Sequence, residues 1–288
     1  MSARSNMTIT IKVKIDELER RFQDLESAVI AFSGGVDSSV LLACAHKVLG
    51  EKAIAVTALS PSFSAREMDH AVQFCAQRGI SHIIVETNEL DDPRYAANPE
   101  DRCYHCKRIL LAHLLEIANE RGARFVVEGT NASELEGHRP GRWATLEENR
   151  VVTPLVDTNF TKEDVREAAR ALGLETWDMP SAACLASRIP RGTAITKDLL
   201  SRIGAAEQVI RDLGVKQVRV RHHGDIARIE VDDHELALVI ERRNDVVANL
   251  KTLGWRFIAL DIEGYRTGSL SEWERAQDGS GDDQKDPA

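Results

Sequence analysis

Three things are scarce in this 288-residue chain, and each scarcity excludes a class of protein. No stretch approaches the roughly 18 consecutive apolar residues that a membrane helix needs, so no membrane partner is expected. Met1 to Lys14 is polar and carries no apolar h-region, so a secretory signal is not expected and a cytoplasmic enzyme is the default reading. Positive charge is also short. Lys and Arg number 37 against 46 Asp and Glu, a formal net charge of −9, whereas a nucleic-acid binder carries a basic footprint. Cysteines are few and odd in number, five in all, which speaks against structural disulfides in a chain without an export signal. Metal binding, sulfur chemistry and simple burial remain open for them.

What is present is the composition of a globular protein long enough for one large domain or two modest ones. The charge is uneven. Residues 271–288 are acidic and rich in Gly, Ser and Asp, and read as a disordered tail. The segment Arg188 to Arg228 gathers clustered Arg and His, which suits a local anion site inside an acidic protein.

Along the chain, apolar runs alternate with helical patterns. Ile15 to Leu25 carries Leu18, Phe22 and Leu25 on one face, which predicts a helix after a flexible N-terminus of residues 1–14. Strands are expected at Ala28–Phe32, Ala53–Leu59, His82–Glu86 and Phe125–Glu128. Helices are expected at Ser38–Leu49, Ser64–Arg78, Cys106–Glu120 and Asp164–Leu172, the last with Thr161 as N-cap. This alternation predicts an α/β fold, a parallel sheet covered by helices on both faces, over residues 15–179. After Pro180 the pattern changes. A helix at Leu199–Leu213 precedes two alternating strands, Gln217–Arg221 and Ile226–Val231, which read as an antiparallel pair. A helix His234–Leu253 and a strand Phe257–Ile262 follow, giving a smaller α+β domain over residues 180–270.

Ligands of parallel sheets sit at the carboxyl ends of the strands, and the most informative loop lies there. Ser33-Gly34-Gly35-Val36-Asp37-Ser38-Ser39 joins a strand to a helix. Two glycines let the backbone approach an anion, the helix start offers free N–H groups, and three hydroxyls add donors. Asp37 beside a phosphate calls for Mg²⁺ or a substrate group to balance it. The loop is neither G-x-x-x-x-G-K-[ST] nor G-x-G-x-x-G. Thr57 to Ser60, at the end of the second strand, is placed to border an adenosine. Cys103-Tyr104-His105-Cys106 is a C-x-x-C, and Cys184 lies further on. Three thiolates suit a [4Fe–4S] cluster with one open iron; a zinc site would want a fourth ligand, and a redox pair would want to head a helix. Cys44 and Cys75 fall on apolar helical faces and read as buried hydrophobes. Arg219 and Arg221, two apart on a strand, share a face and with Arg188 and Glu207 suit a phosphate; the alternative is a surface strand with solvated arginines.

The string from Ser33 to Ser39 resembles the pyrophosphate loop of the N-type ATP pyrophosphatases, the PP-loop enzymes, which share an adenine nucleotide alpha hydrolase-like fold and cleave ATP to AMP and pyrophosphate. Gly129-Thr130-Asn131 resembles their active-site rim, and Lys162 either belongs to the same resemblance or is a solvated first-turn residue. With Ala183-Cys-Leu-Ala-Ser-Arg-Ile-Pro-Arg-Gly-Thr193, Val218 to Glu230 and Leu260 to Gly268, the chain over residues 10–270 resembles the LarE family of ATP-dependent sulfur transferases. That resemblance implies adenylation of a carboxylate of pyridinium-3,5-biscarboxylic acid mononucleotide, then replacement of oxygen by sulfur, on the way to the nickel-pincer nucleotide of lactate racemase. It implies ATP at Ser33, Gly34, Gly35, Asp37, Ser38, Ser39 and Gly129, Mg²⁺ beside Asp37, and a homo-oligomer served by a sulfur donor. In one style of the family a single cysteine gives up its sulfur; the matching position here is Ala183. Cys103, Cys106 and Cys184 match the other style, in which three cysteines hold a [4Fe–4S] cluster. A tRNA thiolation enzyme and an amide ligase of the NAD synthase type are the competing functions. The acidic total charge argues against the first, and the second has no need of the three cysteines.

Overall fold

The computed structural model describes residues 3–135, 140–180 and 183–266, which divide into two compact units. The first comprises residues up to Tyr95 together with Glu100–Ala183; the second comprises Ala96–Pro99 and the chain from Cys184. The acidic tail expected at 271–288 lies outside the described residues, as do the last residues of the Leu260–Gly268 segment. No described helix is long and apolar enough to cross a membrane.

In the first unit β1 (Ala28–Ala31), β2 (Ala53–Leu59), β3 (His82–Glu86), β4 (Phe125–Val127) and β5 (Val151–Val152) form one sheet in the order β3-β2-β1-β4-β5. Every pairing in it is parallel. The helices are α1 (Ala3–Leu25), α2 (Val36–Leu49), α3 (Ala65–Arg78), α4 (Pro93–Ala96), α5 (Arg102–Glu120), α6 (Pro140–Leu146), α7 (Pro154–Asp157) and α8 (Lys162–Ala171). Two separate apolar clusters cover the sheet. One joins α1, α2 and α8 to β1 through Leu18, Phe22, Leu41, Val165 and Ile30; the other joins α5 to β1 and β4 through Leu111, Leu114, Val29 and Val126. Successive strand residues point to opposite faces, which is why Val29 and Ile30 fall in different clusters.

The first helix starts earlier than the expected Ile15. It runs back to Ala3, and Ile11 is buried in line with Ile15, Leu18, Phe22 and Leu25. These positions extend one apolar stripe by a further turn, so its burial carries the helix past the predicted start. Elsewhere the punctuation matches the residue chemistry. Gly79 ends α3 in the left-handed conformation, φ 64°. Ser64 and Thr161 each form a capping box, with Glu67 and Asp164.

In the second unit α9 (Lys197–Arg211) packs on β6 (Val218–His223). β6 pairs antiparallel with β7 (Ile226–Val231) as expected, across only Gly224 and Asp225, and β7 pairs parallel with β8 (Phe257–Leu260). The helix expected over His234–Leu253 is broken at Arg242 into α10 (Leu236–Glu241) and α11 (Arg243–Thr252). Residues 96–99 are tied into this unit by Asn98, whose side-chain amide donates to the carbonyls of Ile189, Pro190 and Thr193 at 3.3, 2.7 and 3.1 Å.

The Thr161 box starts the helix that presents Lys162. Thr161→Ala is expected to lower stability by about 1 kcal/mol, read as a shift in the urea midpoint at unchanged slope.

Candidate functional site

β1 stops pairing at Ala31, and the chain turns through Ser33-Gly34-Gly35 into α2 at the carboxyl edge of the sheet. Gly34 has φ +73°, a left-handed conformation that favours glycine, and a Cβ there would stand 3.2 Å from the Glu67 carbonyl of α3. Gly35 caps α2 with extended backbone and no side-chain hydrogen bond, so no side chain competes for the first-turn N–H groups. Ser39 Oγ is buried and has no hydrogen-bond partner among the described residues. Ser33 and Ser38 are bonded within the loop: their hydroxyls lie 3.2 Å apart, and Ser38 Oγ donates to Gly35 O at 3.0 Å. Gly129, at the end of β4, leaves room beside the loop; a Cβ there would meet Asp37 Cβ and Ser38 N, each at 3.6 Å. An uncapped helix start, a spare hydroxyl and two close glycines form a receptor for an anion.

Asp37 is held from two sides. Asn131 Nδ2 donates to Oδ1 at 2.9 Å, and Lys162 Nζ pairs with Oδ2. Lys162, which the sequence left open as a solvated residue, therefore belongs to the loop's surroundings. Its backbone N–H is fixed by Ser133 Oγ at 3.0 Å. Asn131 also bonds Glu134 at 2.9 Å. A second pair lies alongside: Lys107 Nζ donates to Glu128 Oε2 at 2.7 Å, while Glu128 Oε1 is buried without a partner. Lys107 directly follows Cys106 on α5, so this pair ties the C-x-x-C helix to the end of β4. Sequence reading missed Lys107, Asn131 as a ligand of Asp37, and the state of Thr57. The Thr57 hydroxyl is buried and donates to Phe32 O at 2.7 Å.

α5 begins at Arg102, four residues before its expected start, so Cys103 and Cys106 stand three apart on its first turn. Cys103 and Cys184 are exposed and Cys106 half-buried. Cys44 and Cys75 are buried, and burial pushes both thiols up to about 12, as suits small hydrophobes of the core. Accessible thiols are the donor type that an iron–sulfur cluster takes, and Cys103, Cys106 and Cys184 are each accessible. Cys103 and Cys106 belong to the first unit and Cys184 to the second.

The arginines proposed for a phosphate are all buried in the second unit. Arg188 Nε and Nη2 donate to Glu207 at 2.7 and 3.2 Å, and Arg188 Nη1 donates to Cys184 O at 3.0 Å. Arg221 bonds Glu230 through Nε and Nη2 and Ser187 O through Nη1. Glu207 also accepts from Arg211 at 2.9 Å and from Val220 N at 3.2 Å. Burial pushes the Glu207 carboxyl up, but Arg188, Arg211 and Arg219 outweigh it and leave it below its ordinary value. Arg219 lies over the Tyr265 ring at 5.2 Å. Its burial, and the repulsion of Arg188, lower it to about 10. The solvated-strand alternative is excluded by this burial. Arg188, Arg211, Arg219, Arg221 and Arg228 gather there with Glu207, Glu230 and Asp261.

Comparison with known proteins divides along the same line. A family model described as asparagine synthase matches residues 16–185. A glutamine-hydrolyzing GMP synthase chain of Archaeoglobus fulgidus is 29% identical over 169 residues, 56% of this chain and 55% of that one. Other relatives run nearly end to end. An uncharacterized protein of Synechocystis sp. is 39% identical over 263 residues, 91% of this chain and 98% of its own. The pyridinium-3,5-bisthiocarboxylic acid mononucleotide synthase of Lactiplantibacillus plantarum is 33% identical over 264 residues, 91% of this chain and 95% of its own.

Because Glu207 balances several buried guanidinium groups, Glu207→Ala is expected to cost about 3–5 kcal/mol, read from urea unfolding at pH 7. Its folded carboxyl lies below the unfolded value of 4.5. The stabilisation is therefore complete above that value and is lost as pH falls below it. The variant and the parent should converge in stability in that acid range.

Proposed function

This chain belongs to the LarE family of PP-loop enzymes, and from that premise we propose that it adenylates a carboxylate of pyridinium-3,5-biscarboxylic acid mononucleotide with ATP and replaces the carboxylate oxygen by sulfur. The observation that carries the proposal is the match to the Lactiplantibacillus plantarum synthase over 91% of this chain, where the Archaeoglobus fulgidus GMP synthase matches 56% of it. The product serves nickel-pincer nucleotide synthesis.

The loop geometry supports the first step. The triphosphate lies against the start of α2, with the N–H groups of Val36 to Ser38 and the Ser39 hydroxyl as donors. Asp37 would hold Mg²⁺, which when bound would supply positive charge to the phosphates, and Lys162 stands beside it as a second cation. A carboxylate oxygen of the acceptor attacks the α-phosphorus, the bond to the bridging oxygen of the β-phosphate breaks, and pyrophosphate leaves with Lys162 neutralising part of its charge. The second step is attack of a sulfide on the acyl carbon. AMP departs with the oxygen that bonded phosphorus, and a thiocarboxylate remains. Cys103, Cys106 and Cys184 would hold a [4Fe–4S] cluster, which when bound offers a transferable sulfide on the iron that no cysteine holds. The clustered guanidinium groups of Arg188, Arg219 and Arg221, with Glu207 setting their positions, take the phosphate of the mononucleotide. A homo-oligomer and a separate sulfur donor complete the reading.

Mass spectrometry of products after anaerobic incubation with ATP, Mg²⁺, sulfide and the mononucleotide is expected to show AMP and a thiocarboxylate in equal amounts; AMP with unchanged acceptor in the iron-loaded protein would refute sulfur transfer. Lys162→Met is expected to slow AMP release roughly 10²–10³-fold. Replacing Cys103, Cys106 and Cys184 by Ala should abolish the thiocarboxylate while acceptor-dependent AMP release continues.

A further inference from the structure

Phe32, the last residue before the phosphate loop, is fixed at every polar and apolar group it has. Its N–H donates to Val56 O at 2.8 Å, which continues the β1–β2 ladder by one bond. Its ring packs on Phe74 at 5.2 Å and meets the edge of His82 at 6.1 Å. Its carbonyl would next accept from the β2 backbone if the strands kept pairing, but they part at Ala31–Val56. The Thr57 hydroxyl takes that carbonyl at 2.7 Å. A side chain thus satisfies a buried backbone acceptor at the point where the strand must leave the sheet.

The Thr57 oxygen has a second contact, His82 Nε2 at 2.8 Å. Thr57 has one hydroxyl proton, and a carbonyl can only accept, so the proton points to Phe32. The bond to His82 must then be donated by the ring, which places a hydrogen on Nε2. Burial keeps the ring below its ordinary value, so at neutral pH Nδ1 is unprotonated. The result is a directed chain from imidazole N–H to hydroxyl to the carbonyl preceding Ser33, in which each bond polarises the next.

We propose that Thr57 and His82 act as positioning residues for the ATP reaction: through Phe32 they hold the point from which Ser33-Gly34-Gly35 departs, and so set where the first-turn N–H groups of α2 meet the phosphates. Neither residue needs to touch the nucleotide. β3 contributes to the site in this way although its own carboxyl end is two strands away from β1. α3 supports the same point from the other side, because Phe74 lies on it, with the Arg78 guanidinium stacked 4.0 Å from the Phe74 ring, and because its Glu67 carbonyl faces Gly34.

The proposal rests on the loop binding ATP, as read above. Its test uses the full-length protein and three substitutions. Thr57→Val keeps the shape and removes the hydroxyl, Thr57→Ser restores it, and His82→Leu removes the ring donor. Binding of Mg·ATP by calorimetry is expected to weaken about tenfold in Thr57→Val, the loss of about 1.4 kcal/mol, and to return to within about threefold in Thr57→Ser. ¹⁵N NMR of the histidines should show the hydrogen of His82 on Nε2. In His82→Leu the backbone amide signals of Ser33 to Gly35 should move. Parental ATP affinity in Thr57→Val, equal losses in the Val and Ser variants, or a His82 hydrogen on Nδ1 would each overturn the proposal. If Thr57→Val does not fold, the Ser variant, His82→Leu and the ring tautomer still decide it. A wild-type protein that forms no AMP would sink the activity proposed above, whereas the tautomer and amide signals would still report on this anchor.

Discussion

The arrangement at the carboxyl edge of the first sheet depends on one constraint: α2 must begin without a side chain satisfying its own N–H groups. A Ser, Thr or Asp at the cap position would occupy the donors that an anion needs. Gly35 leaves them open, and the surrounding residues compensate. Strand β1 has to stop early enough for the chain to turn, Gly34 has to take a left-handed backbone where α3 leaves little space, and Gly129 has to leave room at Asp37. Asp37 in turn needs a counter-charge, and Lys162 supplies it. Asp37 and Lys162 are therefore charge-balanced against each other.

The second unit meets a related problem by different means. Five arginines and three acids are packed together, and the three guanidinium groups of Arg188, Arg219 and Arg221 are almost wholly removed from water. Desolvation of so much charge is tolerable only when nearly every donor has an acceptor. Carboxylates on α9 and β7, and the carbonyls of Cys184 and Ser187, meet that need. The same bonds anchor Cys184: the Arg188 fork that grips Glu207 also grips the cysteine's carbonyl. Electrostatic order in this unit thus fixes a thiol as well as a cluster of positive charge.

Much of the first sheet was legible because its strands are short apolar runs closed by glycine or turn residues. The bounds of Ala53–Leu59 and His82–Glu86 match the expected ones, and Thr161 caps α8 as read. What escaped was of three kinds. The two-residue strand Val151–Val152 is too short to carry a pattern. The start of α5 was placed late because Arg102 to His105 shows no apolar period, although packing of the following turns extends the helix through the C-x-x-C. Long-range pairings had no local signature at all: Lys162 and Asp37 are 125 residues apart, and the partners of Arg188 and Arg221 lie on other elements. The alternation Val-Arg-Val-Arg in β6 suggested one apolar and one solvated face, whereas both faces are covered.

The small segment Ala96–Pro99 has a consequence for how such a protein is inherited and made. Because it belongs with the residues after Cys184, the polypeptide passes from one unit to the other and back before passing over for good. No single cut separates the two halves as cassettes. A recombination event near residue 183 would deliver a nucleotide-binding half carrying an asparagine, Asn98, deprived of three carbonyl acceptors, and a second half with those carbonyls of Ile189, Pro190 and Thr193 exposed. On the ribosome the second unit's fold also waits for the C-terminal segment although its first piece emerges early. A single cut at that point leaves neither half with its own hydrogen bonds complete.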